Sequence, residues 1–241
     1  MLDSRNVKMN KIKKNILFFI VLTITVMIIV AYMSKYLKYQ VAMRNRATYM
    51  NVTYNALWNS HDVHKVLFYR EESGITEKNS WRFYLAPYLG YGGGAITSSP
   101  HYDNGKKWNE EPNNSLVIPE FCWEKHISSM TNVMAITGED TAYVVQKTEN
   151  LQDCEDLIIM VEVAHTNTHW GEDGDVNVAN IPTNITRGID GNGFMVLFFD
   201  GSIWYIKNTI PLDILKRYLT VTEARKHDRN VDLMPYAIVY R

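Results

Sequence analysis

An uncharged run at 16–33, ILFFIVLTITVMIIVAYM, constrains this chain more than any other stretch. Its clearly polar groups are two threonines. As a helix it covers about 27 Å, close to the roughly 30 Å hydrocarbon core of a bilayer. A cleaved secretory signal has a shorter apolar core of about 7–15 residues and a small-x-small cleavage site. Here the run continues into AYMSKYLKYQ, with tyrosines where a peptidase needs small side chains. The reading is an uncleaved transmembrane anchor at 15–33, in contact with membrane lipid.

Charge divides the chain in the same place. Residues 1–60 hold nine Lys/Arg and one acid, Asp3; residues 61–241 hold 16 Lys/Arg and 25 Asp/Glu. An acidic C-terminal part argues against a nucleic-acid binder, which needs a basic face on its folded domain. Arg5, Lys8, Lys11, Lys13 and Lys14 precede the span; Lys35, Lys38, Arg44 and Arg46 follow it. The tighter N-terminal cluster favours a cytoplasmic 1–14 segment, an inner-membrane location and an extracytoplasmic domain.

No Gly or Pro occurs before Gly74, as expected of one continuous helix. Tyr36, Tyr39, Met43, Ala47, Met50, Tyr54 and Leu57 recur at helical spacing, so the helix is predicted to continue through 34–60 with its far half on a globular domain. That domain, 61–220, reads as β-rich. Short runs at 80–90 (SWRFYLAPYLG), 131–137, 141–146 (TAYVVQ) and 156–164 (DLIIMVEVA) suggest antiparallel strands between turns. In GFMVLFFDGSIWYIKN, Asp200-Gly201 predicts a hairpin with a two-residue type I′ turn. TIPLDILKRYL reads as a short helix, and a 221–241 tail ends in an edge-strand pattern. The fold class expected is α+β: a long N-terminal helix packed on an antiparallel sheet.

These phrases also resemble, in order, segments of a bacterial pseudopilin-like family marked by an H-x9-DG signature and related to type II secretion pseudopilins and type IV pilins. YNALWNSHDVHKVLF, SWRFYLAPYLG, KKWNEEPNNSLV, LIIMVEVAHTNTHWGEDGDV and GFMVLFFDGSIWYI carry the resemblance across about residues 50–206. The position of the signature His is taken by Asp190. The glycine of a prepilin leader and the acid inside its apolar run have no counterpart between Asp3 and Asp62. The resemblance therefore implies a pilin-like fold and single-pass topology, acting by packing, self-association or binding of envelope proteins, more than filament assembly.

Chemistry-bearing candidates are few. His165 and His169 follow Glu162 at i, i+4 spacing, a zinc pattern on a helix but one that places the rings about 13 Å apart on a strand. An extracytoplasmic metal-dependent enzyme or sensor using Glu162, His165 and His169 is the alternative function. Glu172, Asp173 and Asp175 offer hard oxygens in a glycine-containing loop, without EF-hand spacing. Similarity to pseudopilins, some of which hold calcium in a C-terminal loop, adds a little to a calcium reading. His61 and His64 read as helix C-terminal dipole partners or packing groups. GYGGG at 90–94 lacks the Lys-Ser/Thr of a phosphate loop and GIDGNG at 188–193 reads as a turn. Cys122 and Cys154 are either one disulfide or two small buried hydrophobes. No nucleophile pattern, cofactor motif or catalytic residue stands out, so the expectation is a non-enzyme.

Overall fold

The computed structural model describes residues 3–70, 79–91, 94–95, 103, 105–123, 129–145 and 148–240. It forms two compact units, Met1–Asn45 and Arg46–Arg241. Helix α1, Asp3–His64, runs through both and ends four residues beyond the expected stop at 60. In the first unit every residue from Asn15 to Tyr39 is exposed, and the helix is there long and apolar enough to cross a membrane. The hydroxyls of Thr23 and Thr25 donate to Phe19 O at 2.8 Å and Val21 O at 2.9 Å, so the two polar groups of the run are satisfied inside the helix. The basic side chains at 5–14 and residues 92–93 of the glycine-rich stretch lie outside the described residues.

In the second unit the chain is α+β, as the sequence predicts. The remainder of α1 buries Ala47, Met50, Ala56 and Leu57, the stripe positions and their neighbours. Its aromatic side chains meet the sheet: Tyr54 Oη donates to Phe199 O at 3.3 Å, and the Trp58 ring lies 5.9 Å from that of Phe199. Among the described residues eight strands follow: β1 Gly90–Tyr91, β2 Gly94–Ala95, β3 Val133–Thr137, β4 Ile158–Glu162, β5 Val176–Asn177, β6 Gly193–Phe198, β7 Ile203–Lys207 and β8 Ala237–Tyr240. β1 and β2 pair with each other, and the main sheet has the order β5-β3-β4-β6-β7-β8. Its core is antiparallel, but the short β5 joins β3 in parallel, making the sheet mixed.

Both faces of β6 are buried. Phe194, Val196 and Phe198 join Trp204, Ile206, Leu215, Tyr218, Leu219 and Leu233 in one apolar cluster; Leu215 comes from the short helix α4 Leu212–Lys216, and after α5 Val221–Ala224, Leu233 follows directly on α6 Arg229–Asp232. Met195 and Leu197 point to the opposite face, as the period of two requires. The described part of the 221–241 tail, residues 221–240, is thus built into the sheet domain, with β8 as its edge.

A bulge in β4 determines which residues face α1. Ile158 pairs with Phe198, but Met160 pairs with Leu197, leaving one extra residue on β4. The extra residue reverses the alternation, so Glu162 leaves the face of Ile158 and lies on the face of Met195.

Two predicted strands are helical. SWRFYL forms α2 residues Trp81–Leu85 after the Ser80 cap, whose Oγ accepts from Phe83 N. Residues 142–145 of TAYVVQ form the one-turn helix α3, Ala142–Val145, closed by amides of Val144 and Val145 on Thr141 O. In both, the aromatic and β-branched content that reads as strand is outweighed by burial of a short helical turn. The Asp200-Gly201 hairpin is present, but its loop is one residue longer than predicted. Phe198 N donates to Ser202 O and Gly201 N to Phe198 O, each at 3.0 Å, and only Gly201 is left-handed, at φ 85°. This is a type I turn followed by a left-handed residue, which needs one glycine where a type I′ turn needs two positive φ values. A Cβ on Gly201 would sit 2.6 Å from the Tyr54 ring. Gly201→Ala should therefore destabilise the domain by about 1–3 kcal/mol, read as a lower thermal midpoint; an unchanged midpoint would contradict this loop geometry.

Candidate functional site

A buried group of three charges lies between α1 and the sheet. Arg46 Nη1 donates to Glu162 Oε1 at 2.6 Å and Nη2 to Asp190 Oδ2 at 3.1 Å. Glu162 is fully buried and accepts two further bonds, from Ile189 N at 2.8 Å and Met195 N at 2.9 Å. Asp190 accepts from Tyr205 Oη at 2.9 Å and from Asn192 N at 2.9 Å. The GIDGNG stretch is a turn, as predicted, and it also builds the cluster, because Ile189 presents an amide and Asp190 a carboxylate to it. Gly188 allows this close approach, since a Cβ there would lie 2.2 Å from Gly193 O and 2.9 Å from Glu162 Oε1.

Burial pushes the Glu162 carboxyl above its ordinary value, with Arg46 and the two amides opposing the rise. Asp190 goes the other way. Its partial burial acts upward, but the Asn192 amide, the Tyr205 hydroxyl and Arg46 outweigh it and hold the carboxyl below its ordinary value. A depressed carboxyl contributes stability above its unfolded pKa, near 3.8, and loses it as pH falls through the folded value. The midpoint difference between the native chain and Asp190→Asn should thus be constant above about pH 5 and shrink below about pH 4. A pH-independent difference would sink this assignment.

A second buried pair and the contacts around it tie three of the resembling patches together. Arg82 donates to Asp175 Oδ1 at 2.7 Å, Trp170 O at 2.9 Å, Glu172 O and Gly174 O at 3.0 Å, and Val133 O at 3.2 Å. Asp175 also accepts from Trp81 Nε1 and from Ala135 N at 2.8 Å. Burial raises its carboxyl pKa, with Arg82 opposing. Ser80 Oγ donates to Trp170 O at 3.0 Å, Trp170 Nε1 to Leu116 O at 2.7 Å, and Trp108 stacks on His169 with centroids 5.0 Å apart.

The candidate metal-ligand sets are dispersed. His169 is buried, accepts from Gly171 N at Nδ1 and contacts Asn114 O through Nε2, which fixes a neutral ring with the proton on Nε2. Burial lowers its pKa. His165 is exposed in a left-handed conformation, and Glu162 belongs to Arg46. Glu172 accepts from His169 N, Asp173 pairs with Arg70 and Asp175 with Arg82. Among the described residues no three His, Cys, Asp or Glu side chains converge on a metal-sized site. His61 and His64 are packing groups: His64 stacks on Tyr69 at 3.6 Å and shares a hydrogen bond with Tyr88 Oη, and His61 lies edge-on to Trp58. Cys122 and Cys154 are free and buried rather than bonded to each other.

Asp200 has several partners. Ser202 donates to it from both N and Oγ, and Arg229 Nη2 from 2.5 Å. Arg229 also reaches Asp156 at 3.1 Å and lies over the rings of Phe198 and Trp204. Sequence reasoning does not single out Arg46, Arg82 or Arg229 as site residues. Arg46 carries a visible signal all the same: it sits on the apolar stripe of α1, three residues after Met43 and four before Met50, where a charge needs a buried partner.

Glu172 is held locally by the His169 amide, and each other carboxylate singled out above is taken up by an arginine, a backbone amide or a hydroxyl, with the arginines joining distant segments. Chemically, such an arrangement fixes segments in place. Compared with protein-family models, curated proteins and solved structures, the chain gives no match.

Proposed function

We propose that this is a single-pass membrane protein of pseudopilin-like plan, with its N-terminus in the cytoplasm and its sheet domain outside the inner membrane. It acts by packing on or binding envelope proteins, in export machinery of the type II secretion or pilus kind. The observation that carries the reading is α1: an uncharged stretch with every side chain exposed, continuing into a segment whose stripe is buried against a sheet. The ordered resemblance at 50–206 agrees with it, since the resembling segments are those joined by Arg82, Trp170 and Tyr54. The metal-dependent alternative has no comparable support, because its residues have other partners.

Expression of the full chain in a bacterial host, with and without prepilin peptidase, tests the reading. The expected product is full-length in both, resists carbonate extraction, and has its sheet domain cut by protease added to spheroplasts. Release into the soluble fraction sinks the anchor. Peptidase-dependent shortening would make a filament subunit the better reading.

A further inference from the structure

We infer that Tyr32, Lys35, Tyr36, Lys38 and Tyr39 form a membrane-interface collar on α1, which seats in an anionic phospholipid headgroup layer and fixes how deep the helix lies. The inference rests on the membrane-anchor reading and adds its partner chemistry. Tyr32, Tyr36 and Tyr39 recur at spacings of four and three, so they share one face of the helix, and they are 72%, 51% and 36% exposed. A tyrosine buries an apolar ring while its hydroxyl stays hydrated, which suits the boundary between acyl chains and headgroups. Lys35 and Lys38 stand in the same two turns, to one side of the tyrosine face. Their stems reach along apolar surface while the ammonium groups meet lipid phosphates.

Spacing along the chain supports the depth. Twenty residues, 15–34, separate Lys14 from Lys35. As a helix they cover about 30 Å, the thickness of the hydrocarbon core, so the end of the run at Lys35 falls at the headgroup level when its other end does. Charge also decides between lipid and a second copy of the helix. A parallel copy against this face would bring Lys35 and Lys38 near their own duplicates, whereas anionic headgroups neutralise them.

The test places a spin label at position 34 through Ser34→Cys in the full chain, reconstituted in phosphatidylcholine vesicles with and without phosphatidylglycerol. Cys122 and Cys154 are buried, and burial pushes the Cys122 thiol up to about 12 and raises that of Cys154, so the exposed thiol reacts first. The expected label depth is the acyl–headgroup boundary. Tyr32→Ala/Tyr36→Ala/Tyr39→Ala should shift it by about one helical turn, ~5 Å. Lys35→Gln/Lys38→Gln should abolish any depth change caused by phosphatidylglycerol. Equal depth in all variants, with carbonate-resistant retention intact, overturns the collar and leaves the anchor standing. Extraction of the unsubstituted chain by carbonate defeats the anchor and the collar together. Strong dipolar coupling between labels puts a second copy on the tyrosine face and overturns lipid as its occupant.

Discussion

Replacing Arg46 with methionine should cost the sheet domain about 3–5 kcal/mol, because the substitution strands Glu162 as a buried, uncompensated charge. The carboxylate would keep the amides of Ile189 and Met195 but lose its 2.6 Å partner, and Asp190 would lose the same cation. For a domain of this size the midpoint should fall by on the order of 10 °C. Neutralising the partners should recover much of this. Arg46→Met/Glu162→Gln/Asp190→Asn removes all three charges, and a neutral cluster of similar volume lacks the desolvation penalty of the stranded acid. Thermal unfolding of the two variants side by side measures the effect. A shift below about 1 °C in Arg46→Met, or a triple variant no more stable than the single one, would show that the cluster does not secure α1 to the sheet.

The second large effect is expected at Arg82. Arg82→Lys keeps the charge but cannot reproduce a planar fork that serves Asp175 and the carbonyls of Trp170, Glu172, Gly174 and Val133 together. An ammonium has three donors, so buried acceptors remain unsatisfied at about 1–3 kcal/mol each. A total loss of about 2–4 kcal/mol is expected, since lysine retains part of the ion pair. Hydrogen exchange should locate it, with faster exchange at Ser80 and Ala135 amides, which donate to Gly171 O and to Asp175. Native stability and unchanged protection in Arg82→Lys would mean that the fork is dispensable.

The two arginines show why the sheet is easier to anticipate than the site. Strands β3, β4, β6 and β7 are recorded in local apolar runs, which any sufficiently buried sheet exploits. The partner of Arg46 lies 116 positions away, and nothing near Arg46 specifies it. Glu162 stands out in the sequence as a carboxylate beside two histidines, and the one-residue bulge in β4 turns it to the opposite face from Ile158, toward α1. Register of this kind depends on pairing with β6 and leaves no mark in a continuous run such as DLIIMVEVA. The acidic loop has the same lesson: Glu172, Asp173 and Asp175 are neighbours in sequence, but His169, Arg70 and Arg82 draw them to separate partners.

By itself the sequence determined what local pattern and composition can specify: the uncharged apolar run, the helical stripe to its C-terminal side, the four core strands, the Asp-Gly reversal and the short α4 helix. Each follows from spacing and side-chain type over a few residues. Tertiary structure decided the rest. It made helical turns of the SWRFYL and TAYVVQ segments, added β5 in parallel, lengthened the hairpin loop by a residue, and assigned the buried acids to Arg46, Arg82 and Arg229. A buried charge takes the partner that the fold brings within hydrogen-bond reach, and that distance is fixed only when segments far apart in the chain have packed.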